Sequence, residues 1–317
     1  MKVLFLVQRE QRVILDRFYD SICRHLGDCE LRWLSSSEQA NLKQYFNNID
    51  VSSYDRIILF LRFKKEIKQI RFIRSLPNLV ILEHDAYQNF IPGKYQGRFS
   101  RHYRKLPWAR VITSGYQVCK KLSDEGVDAV FVPKGYDQEL LTNRGLKRDI
   151  ELGFLGSLGH EMYGQRRALL EALADQENMV ITRTKSGDEY VEMLNRIRIF
   201  VGADVGFGEY MIKNFEAMAC GCMLLTWSQG DEENRALGFR DMENVVLYRC
   251  LEELKEKLRV LRDNPGVVES IASSGQHLVE KNYSWEALGG RVAGAVQSPL
   301  RKKIEEKHWG FKRYVLE

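Results

Sequence analysis

Residues 206–226, Gly-Phe-Gly-Glu-Tyr-Met-Ile-Lys-Asn-Phe-Glu-Ala-Met-Ala-Cys-Gly-Cys-Met-Leu-Leu-Thr, constrain this chain more than any other stretch. They read as a loop, a helix of about three turns, a glycine break and a buried strand. Phe215, Met218 and Ala219 are spaced for burial on one helix face, while Lys213 and Glu216 lie three apart, close to one face. Gly221 ends the helix, and Met223 to Thr226 reads as a parallel strand buried on both faces. The helix would begin at about Tyr210, so the backbone N–H groups of Tyr210, Met211 and Ile212 point into a crevice. Such a terminus binds phosphate, and Lys213 adds a positive charge beside it. Glu216 is placed to accept hydrogen bonds from hydroxyls such as those of a ribose.

With 317 residues there is room for two domains of about 150 residues, each with its own core. A hydrophobic content of 44% and a charged content of 29% describe a globular protein. No apolar run approaches the roughly 18 residues a membrane span needs. Met1 to Val7 reads as a first strand rather than a signal peptide, so a cytoplasmic location is expected. The six cysteines (Cys23, Cys29, Cys119, Cys220, Cys222, Cys250) show no metal-ligand spacing and read as reduced, mostly buried thiols. The net charge of +5 is unevenly distributed: residues 1–148 carry 26 Lys+Arg against 16 Asp+Glu, and the remainder 22 against 27. A basic first half implies an anionic partner.

In that first half, Lys2 to Val7 is a strand and Asp16 to Leu26 a helix with Phe18, Ile22 and Leu26 on one stripe. The loop between them holds Arg9 and Arg12, which either grip an anionic acceptor group or are simply solvated. The strand Arg56 to Leu61 runs into Arg62, Lys64, Lys65, Lys68, Arg71 and Arg74, interleaved with apolar residues as in a basic amphipathic helix. The strand Leu79 to Leu82 is followed by Glu83-His84-Asp85, at the sheet end where α/β folds bind ligands. Residues 90–108 read as a loop carrying Lys94, Arg98, Arg101, Arg104 and Lys105 among aromatics, with no acid. This mixture suits an acceptor bearing phosphate or an anionic membrane surface; no nucleic-acid-binding signature accompanies it. Trp108 to Ser114, a helix from Gln117 to Glu125, and Val130 to Asp137 with Pro133 and Gly135 close the domain, with a linker at about Leu140 to Asp149.

In the second half, Glu151 to Leu155 is a strand, followed by a tight turn Gly156-Ser157-Leu158-Gly159 and a helix from near Gln165. Gly156 lets a ligand approach the backbone, and Arg166 or Arg167 can reach a diphosphate. Met179 to Thr184 is the next strand, running on through Arg183 to Ser186. Ile197 to Val201 and Asn244 to Tyr248 are further strands, and Leu251 to Arg262 is an amphipathic helix. Val279 to Trp285 ends a helix at Tyr-Ser-Trp, with Ser284 capping the next; the tail Arg301 to Glu317 reads as helical.

Glu216-Ala-Met-Ala-Cys-Gly221 resembles the nucleotide-sugar motif of retaining glycosyltransferases with the GT-B fold, the large GT4-like (group 1) family. That motif has a Glu, seven residues and a second Glu; here Gly208 stands at the first position and Glu209 one place later. Lys213 and Leu224-Leu-Thr226 fit best the branch known as spore-maturation-like glycosyltransferases, and 108–137 and 279–285 resemble two further segments of the family. The resemblance implies an α/β GT-B fold: two Rossmann-like domains facing a cleft, 1–142 on the acceptor side and 150–298 binding the nucleotide sugar. A last helix, 299–317, would return to the first domain. It also implies that His84 bonds a hydroxyl of the transferred sugar, that Asp85 orients it or touches the acceptor, and that Glu209 replaces the displaced acid. Gly156, Ser157, Arg166, Arg167 and Lys213 would hold the donor diphosphate, and the nucleotide base would lie at Arg183 to Ser186, with Thr184 among them.

The implied reaction is transfer of a sugar from a nucleotide-diphosphate donor to a hydroxyl of a glycan or lipid-linked acceptor, with retention, in bacterial surface polysaccharide or lipopolysaccharide synthesis. No cofactor and no metal are expected, because no Asp-x-Asp element appears. The expected setting is cytoplasmic, peripheral at the inner face of the plasma membrane. Two alternatives stand beside it: a sugar-nucleotide epimerase of the same fold, and a non-catalytic binder of nucleotide, phosphosugar or membrane, which the displaced Glu favours.

Overall fold

Two fully parallel sheets account for the apolar runs. A computed structural model describes the backbone of residues 1–159, 161–308 and 311–316, and the side chains of these except at 11–14, 161 and 304–316. It divides into two compact units, Met1–Val132 with Leu288–Glu317, and Pro133–Ala287.

The first unit holds β1 (Val3–Gln8), β2 (Cys29–Leu34), β3 (Arg56–Phe60), β4 (Leu79–Glu83), β5 (Arg110–Thr113) and β6 (Asp128–Phe131), in the order β2-β1-β3-β4-β5-β6. Every pairing is parallel, and β1 and β4 are buried at each position, as strands covered on both faces must be. The strand order reverses between β1 and β3, which leaves a crevice beyond their carboxyl ends.

The helix Trp285–Gln297 packs on this unit from Leu288 onward: a Cβ on Gly289 would collide with Ser21. Its last carbonyls are taken by two arginines at strand starts. Arg56 Nε donates to Val296 O (2.9 Å), and Arg110 donates to Ala295 O (2.7 Å) and Pro299 O (2.8 Å). Guanidinium groups there satisfy the orphan acceptors and face the negative helix end. Arg110 is also paired with Asp128 at 3.0 Å.

The second unit holds β7 (Ile150–Leu155), β8 (Met179–Thr182), β9 (Ile197–Gly202), β10 (Met223–Trp227) and β11 (Val246–Tyr248), ordered β11-β10-β9-β7-β8 and again parallel. Here the reversal lies between β7 and β9. That places the turn after β7 beside the long loop after β9, the two segments singled out for phosphate.

Several expectations need correction. The boundary falls at Val132/Pro133 rather than within 140–149, and the last helix leaves the second unit at Leu288 rather than at 298. The tail is an antiparallel hairpin, β12 (Lys303–His308) with β13 (Phe311–Leu316), instead of a helix; Pro299 stops the preceding helix, and Phe311, Tyr314 and Val315 favour extended backbone. The returning helix is thus Trp285–Gln297. Residues 63–73 are three short turns, Phe63–Glu66, Ile67–Gln69 and Ile70–Ile73, not one helix, whereas part of the expected 90–108 loop is a helix, Arg98–Tyr103. Cys23 and Cys29, expected as thiols, form a disulfide that ties the Arg12–Leu26 helix to β2, with Cα atoms 5.1 Å apart.

Candidate functional site

The helix of the 206–226 stretch runs Ile212–Ala219, with Met211 as its N-cap and no side-chain capping hydrogen bond. Its first donors are distributed unequally. The Met211 N–H is accepted by Asp204 Oδ2 (3.1 Å), and the Asn214 N–H by Met211 O (3.0 Å). The N–H groups of Ile212 and Lys213 have no acceptor among the described residues. These two donors, with the positive end of the helix dipole, are what an anion would meet. The expected start at about Tyr210 is two residues early. Tyr210 is 2% exposed, donating its hydroxyl to Asn234 (2.5 Å) and packing on Phe239, so its side chain belongs to the core.

Two buried ion pairs hold the loop before this helix. Arg166 donates to Asp204 Oδ1 (2.5 Å) and to Ala203 O (3.3 Å), with its guanidinium 4.3 Å from the Tyr163 ring and 5.3 Å from that of Phe207. Both partners are about 6% exposed, so Arg166 does not reach out to a diphosphate as expected; it fixes and neutralises Asp204. Arg167, next in the helix Gly164–Ala174, is exposed. The second pair joins Lys134 to Glu209. Glu209 is 1% exposed, so the residue expected to replace the displaced acid is sealed inside the unit. Gly208, at the position of that acid, has φ 73°, a left-handed conformation, and its N–H donates to Gln229 Oε1 (2.9 Å).

Lys213, Glu216 and Tyr190, all half-buried, form one polar face. Tyr190, from the helix Asp188–Arg196, donates its hydroxyl to Glu216 Oε2 (2.5 Å), and Lys213 Nζ lies 5.0 Å from the Tyr190 ring. Burial lowers the Lys213 ammonium below the usual lysine range, with Glu216 opposing this. Burial raises the Glu216 carboxyl, and Lys213 and the Tyr190 hydroxyl pull it back down. Burial, joined by Glu216, pushes the Tyr190 phenol well above its ordinary value.

The turn after β7 meets the same side chain. A Cβ added to Gly156 would lie 2.9 Å from the Phe154 ring and 3.3 Å from Lys213 Cε, so the turn passes close to the Lys213 side chain. Ser157 is half-buried beside it in the sequence. Thr184 follows β8, and its hydroxyl oxygen is buried without a hydrogen-bond partner among the described residues.

On the first unit, His84 sits at the end of β4 with its ring 5.0 Å from that of Phe60 and 6.0 Å from that of Phe18. Asp85 is exposed, and its backbone N–H donates to Glu83 Oε1 (2.7 Å). Arg9 is exposed and donates to Trp33 O (3.3 Å); the Arg12 side chain lies outside the described residues. Lys94, Arg98, Arg101 and Arg104 are all exposed. Sequence reasoning missed Asp204, Lys134, Tyr190 and Gln229. Asp204 alone carried a legible signal, an acid just past a buried strand, like Asp85 after β4. Among the described residues no group of three or more His, Cys, Asp or Glu could hold a metal ion.

The family described as Glycosyl transferase-like matches residues 148–289, which contain this face. By sequence, no curated protein matches the chain. Among solved structures, Anabaena HepE in complex with UDP and glucose aligns at TM-score 0.65 and 14% identity, over 94% of this chain and 100% of that one. A sucrose-phosphate synthase from Thermosynechococcus elongatus aligns at 0.67 and 11%, over 93% and 98%. The T4 phage enzyme BGT in complex with its UDP-glucose substrate aligns at 0.58 and 13%, over 94% and 100%. The chain therefore has the α/β fold expected for it, the GT-B architecture of two Rossmann-like units.

Proposed function

We propose that this protein is a glycosyltransferase that takes a sugar from a nucleoside-diphosphate donor held by its second unit. One observation carries the reading: the N–H groups of Ile212 and Lys213 have no acceptor among the described residues at a helix N-terminus that also carries the Lys213 side chain, one turn before Glu216. The donor diphosphate would lie on the N–H groups of Ile212 and Lys213 and on Nζ. Glu216, held by Tyr190, would accept from the ribose hydroxyls, and Gly156 and Ser157 would line the diphosphate from the β7 side. Thr184 would offer its unpartnered hydroxyl to the base. When the bond between the anomeric carbon and the diphosphate oxygen breaks, negative charge grows on that oxygen. Fixed donors at the helix terminus stabilise it without reorganisation. The acceptor hydroxyl oxygen forms the new bond to the anomeric carbon, and its proton leaves with the departing phosphate or to solvent.

The finer reading follows the family resemblance: retention at the anomeric carbon, no metal ion, and a glycan or lipid-linked acceptor in a bacterial surface polysaccharide or lipopolysaccharide, made on the cytoplasmic side. His84 and Asp85 are proposed for the sugar and acceptor, with Arg9 and Arg12 near the acceptor. UDP is the first nucleotide to try, because HepE and BGT are seen with it. The burial of Glu209 against Lys134 favours a second reading, a nucleotide-sugar binder without turnover. The test is incubation with UDP-glucose, UDP-galactose and UDP-N-acetylglucosamine, with and without glycan or lipid-phosphate acceptors. Release of UDP that depends on Lys213 supports transfer. Binding without release in any combination supports the silent binder, and absence of both refutes the donor site.

A further inference from the structure

Two basic segments of the first unit share one aromatic base. The Phe63 ring stacks on Phe99 with centroids 3.6 Å apart and meets Tyr95 and His102 edge-on. His102 Nε2 lies 2.8 Å from Glu66 Oε1, with both side chains about 1% exposed. These contacts pin the Phe63–Ile73 turns against the helix Arg98–Tyr103 and consume Glu66, the single acid of residues 62–74.

The outer surface of this pair is left to cations. Lys64, Lys68, Arg71, Arg98, Arg101 and Lys105 are all exposed, and none has a carboxylate within ion-pair distance among the described residues. Arg98 and Arg101 lie three apart on one face of the helix Arg98–Tyr103, and Lys105 follows just past its end. With Ile67 and His102 they line a cavity of about 300 Å³. Lys64 and Arg71 stand three residues before and four after Ile67. Unpaired like charges repel one another, and a layer of phosphates relieves that repulsion. Single-stranded nucleic acid would also need rings on which bases stack. Phe63, Phe99 and Tyr103 are instead buried beneath the cations and Phe72 and Tyr95 are half-buried against Phe46 and Phe63, while half-buried Ile67 and Ile70 reach the surface.

We infer that this face docks on an anionic phospholipid membrane, with the cavity bounded by Ile67, Arg98, Arg101 and Lys105 taking a headgroup phosphate. The inference does not depend on the donor site or on turnover. The test is flotation of the full chain with vesicles of phosphatidylcholine alone, or with about one quarter phosphatidylglycerol, in low and high salt. Each cation near an anionic leaflet multiplies partitioning about fivefold. R98E/R101E should therefore lower binding to the anionic vesicles at least about 30-fold. R259E/K281E, which changes net charge equally from exposed positions of the second unit, should leave it within about twofold. Equal loss in both variants, or equal binding to neutral vesicles, overturns the inference. So does absence of vesicle binding while a fluorescent single-stranded oligonucleotide binds and is released by R98E/R101E. Matching circular dichroism of the variants separates loss of binding from loss of fold.

Discussion

Replacing Lys213 tests the donor site most directly, because this side chain carries a burial cost that Glu216 offsets only in part and a bound anion would offset further. Its Cε passes near Gly156 and its ammonium lies beside the Tyr190 ring, with its pKa held down mainly by burial. K213M removes one charge-assisted contact to the diphosphate, worth about 2–3 kcal/mol, or about 30- to 150-fold in Kd. The same substitution removes a desolvated cation but also the charge that favours ionised Glu216, so these contributions oppose and the melt of the free protein should change little. Isothermal titration with UDP and thermal melts of the free protein read the two effects separately. The pH dependence carries a sign. Because the folded-state pKa of Lys213 is lowered, the charge is lost at a lower pH than in an ordinary lysine, and UDP affinity should begin to fall below the usual lysine range near 10.4. By linkage the unfolded chain binds more protons between the two pKa values, so stability of the free protein rises with pH in that window. K213R keeps its charge and should lose the alkaline fall. If K213M binds UDP within twofold of the parent protein while folding normally, the diphosphate does not lie where the helix terminus suggests.

Three further outcomes follow from the same geometry. E216Q keeps the shape beside Tyr190 but removes the charge, so nucleoside diphosphate affinity should fall about tenfold, and the loss should be smaller for a 2′,3′-dideoxy analogue, as titration would show. Because the Glu216 carboxyl pKa is raised, the ionised form costs stability that is absent at low pH and appears as pH rises above 4.5; E216Q should flatten that limb in melts. G208E restores an acid where the resembled family has one but puts a side chain at φ 73°; it should cost about 1–2 kcal/mol and fail to raise turnover, as melts and UDP release would show. R110A uncaps the Trp285–Gln297 helix and strands Asp128, at a cost of about 3 kcal/mol, which is a drop of roughly 6–12 °C in thermal midpoint.

The sheets were legible because parallel strands announce themselves as short apolar runs: Leu4 to Val7, Ile57 to Phe60 and Met223 to Leu225 are all buried. β2 was not, because Cys29–Leu34 alternates charged and apolar residues and is buried only at Leu34. Similarly, the aromatics of residues 90–108 read as a mixed surface because sequence alone cannot tell that Phe99 and Tyr103 turn inward to meet Phe63. Lys213 and Glu216 could be placed correctly since helix spacing is local. The partners that decide the roles of Arg166 and Glu209 are not local: Asp204 lies 38 residues from one, and Lys134 lies 75 from the other.

The placement of Asp204 explains why an arginine expected to touch the ligand is buried instead. Asp204 fixes the helix start through the Met211 N–H and the Asn214 amide, so the loop after β9 cannot be set without it. Yet a bare carboxylate at a helix N-terminus competes with the phosphate for the same positive field. Arg166, supplying one guanidinium to Asp204 Oδ1 from beneath the loop, cancels that charge while leaving both groups out of water. A buried pair of this kind contributes little net stability, but breaking it is costly because one charge is left alone. The arrangement therefore allows a rigid, acid-anchored loop to coexist with an anion-seeking helix end. Charge recognition then falls to Lys213 and to the N–H groups of Ile212 and Lys213, which have no acceptor among the described residues.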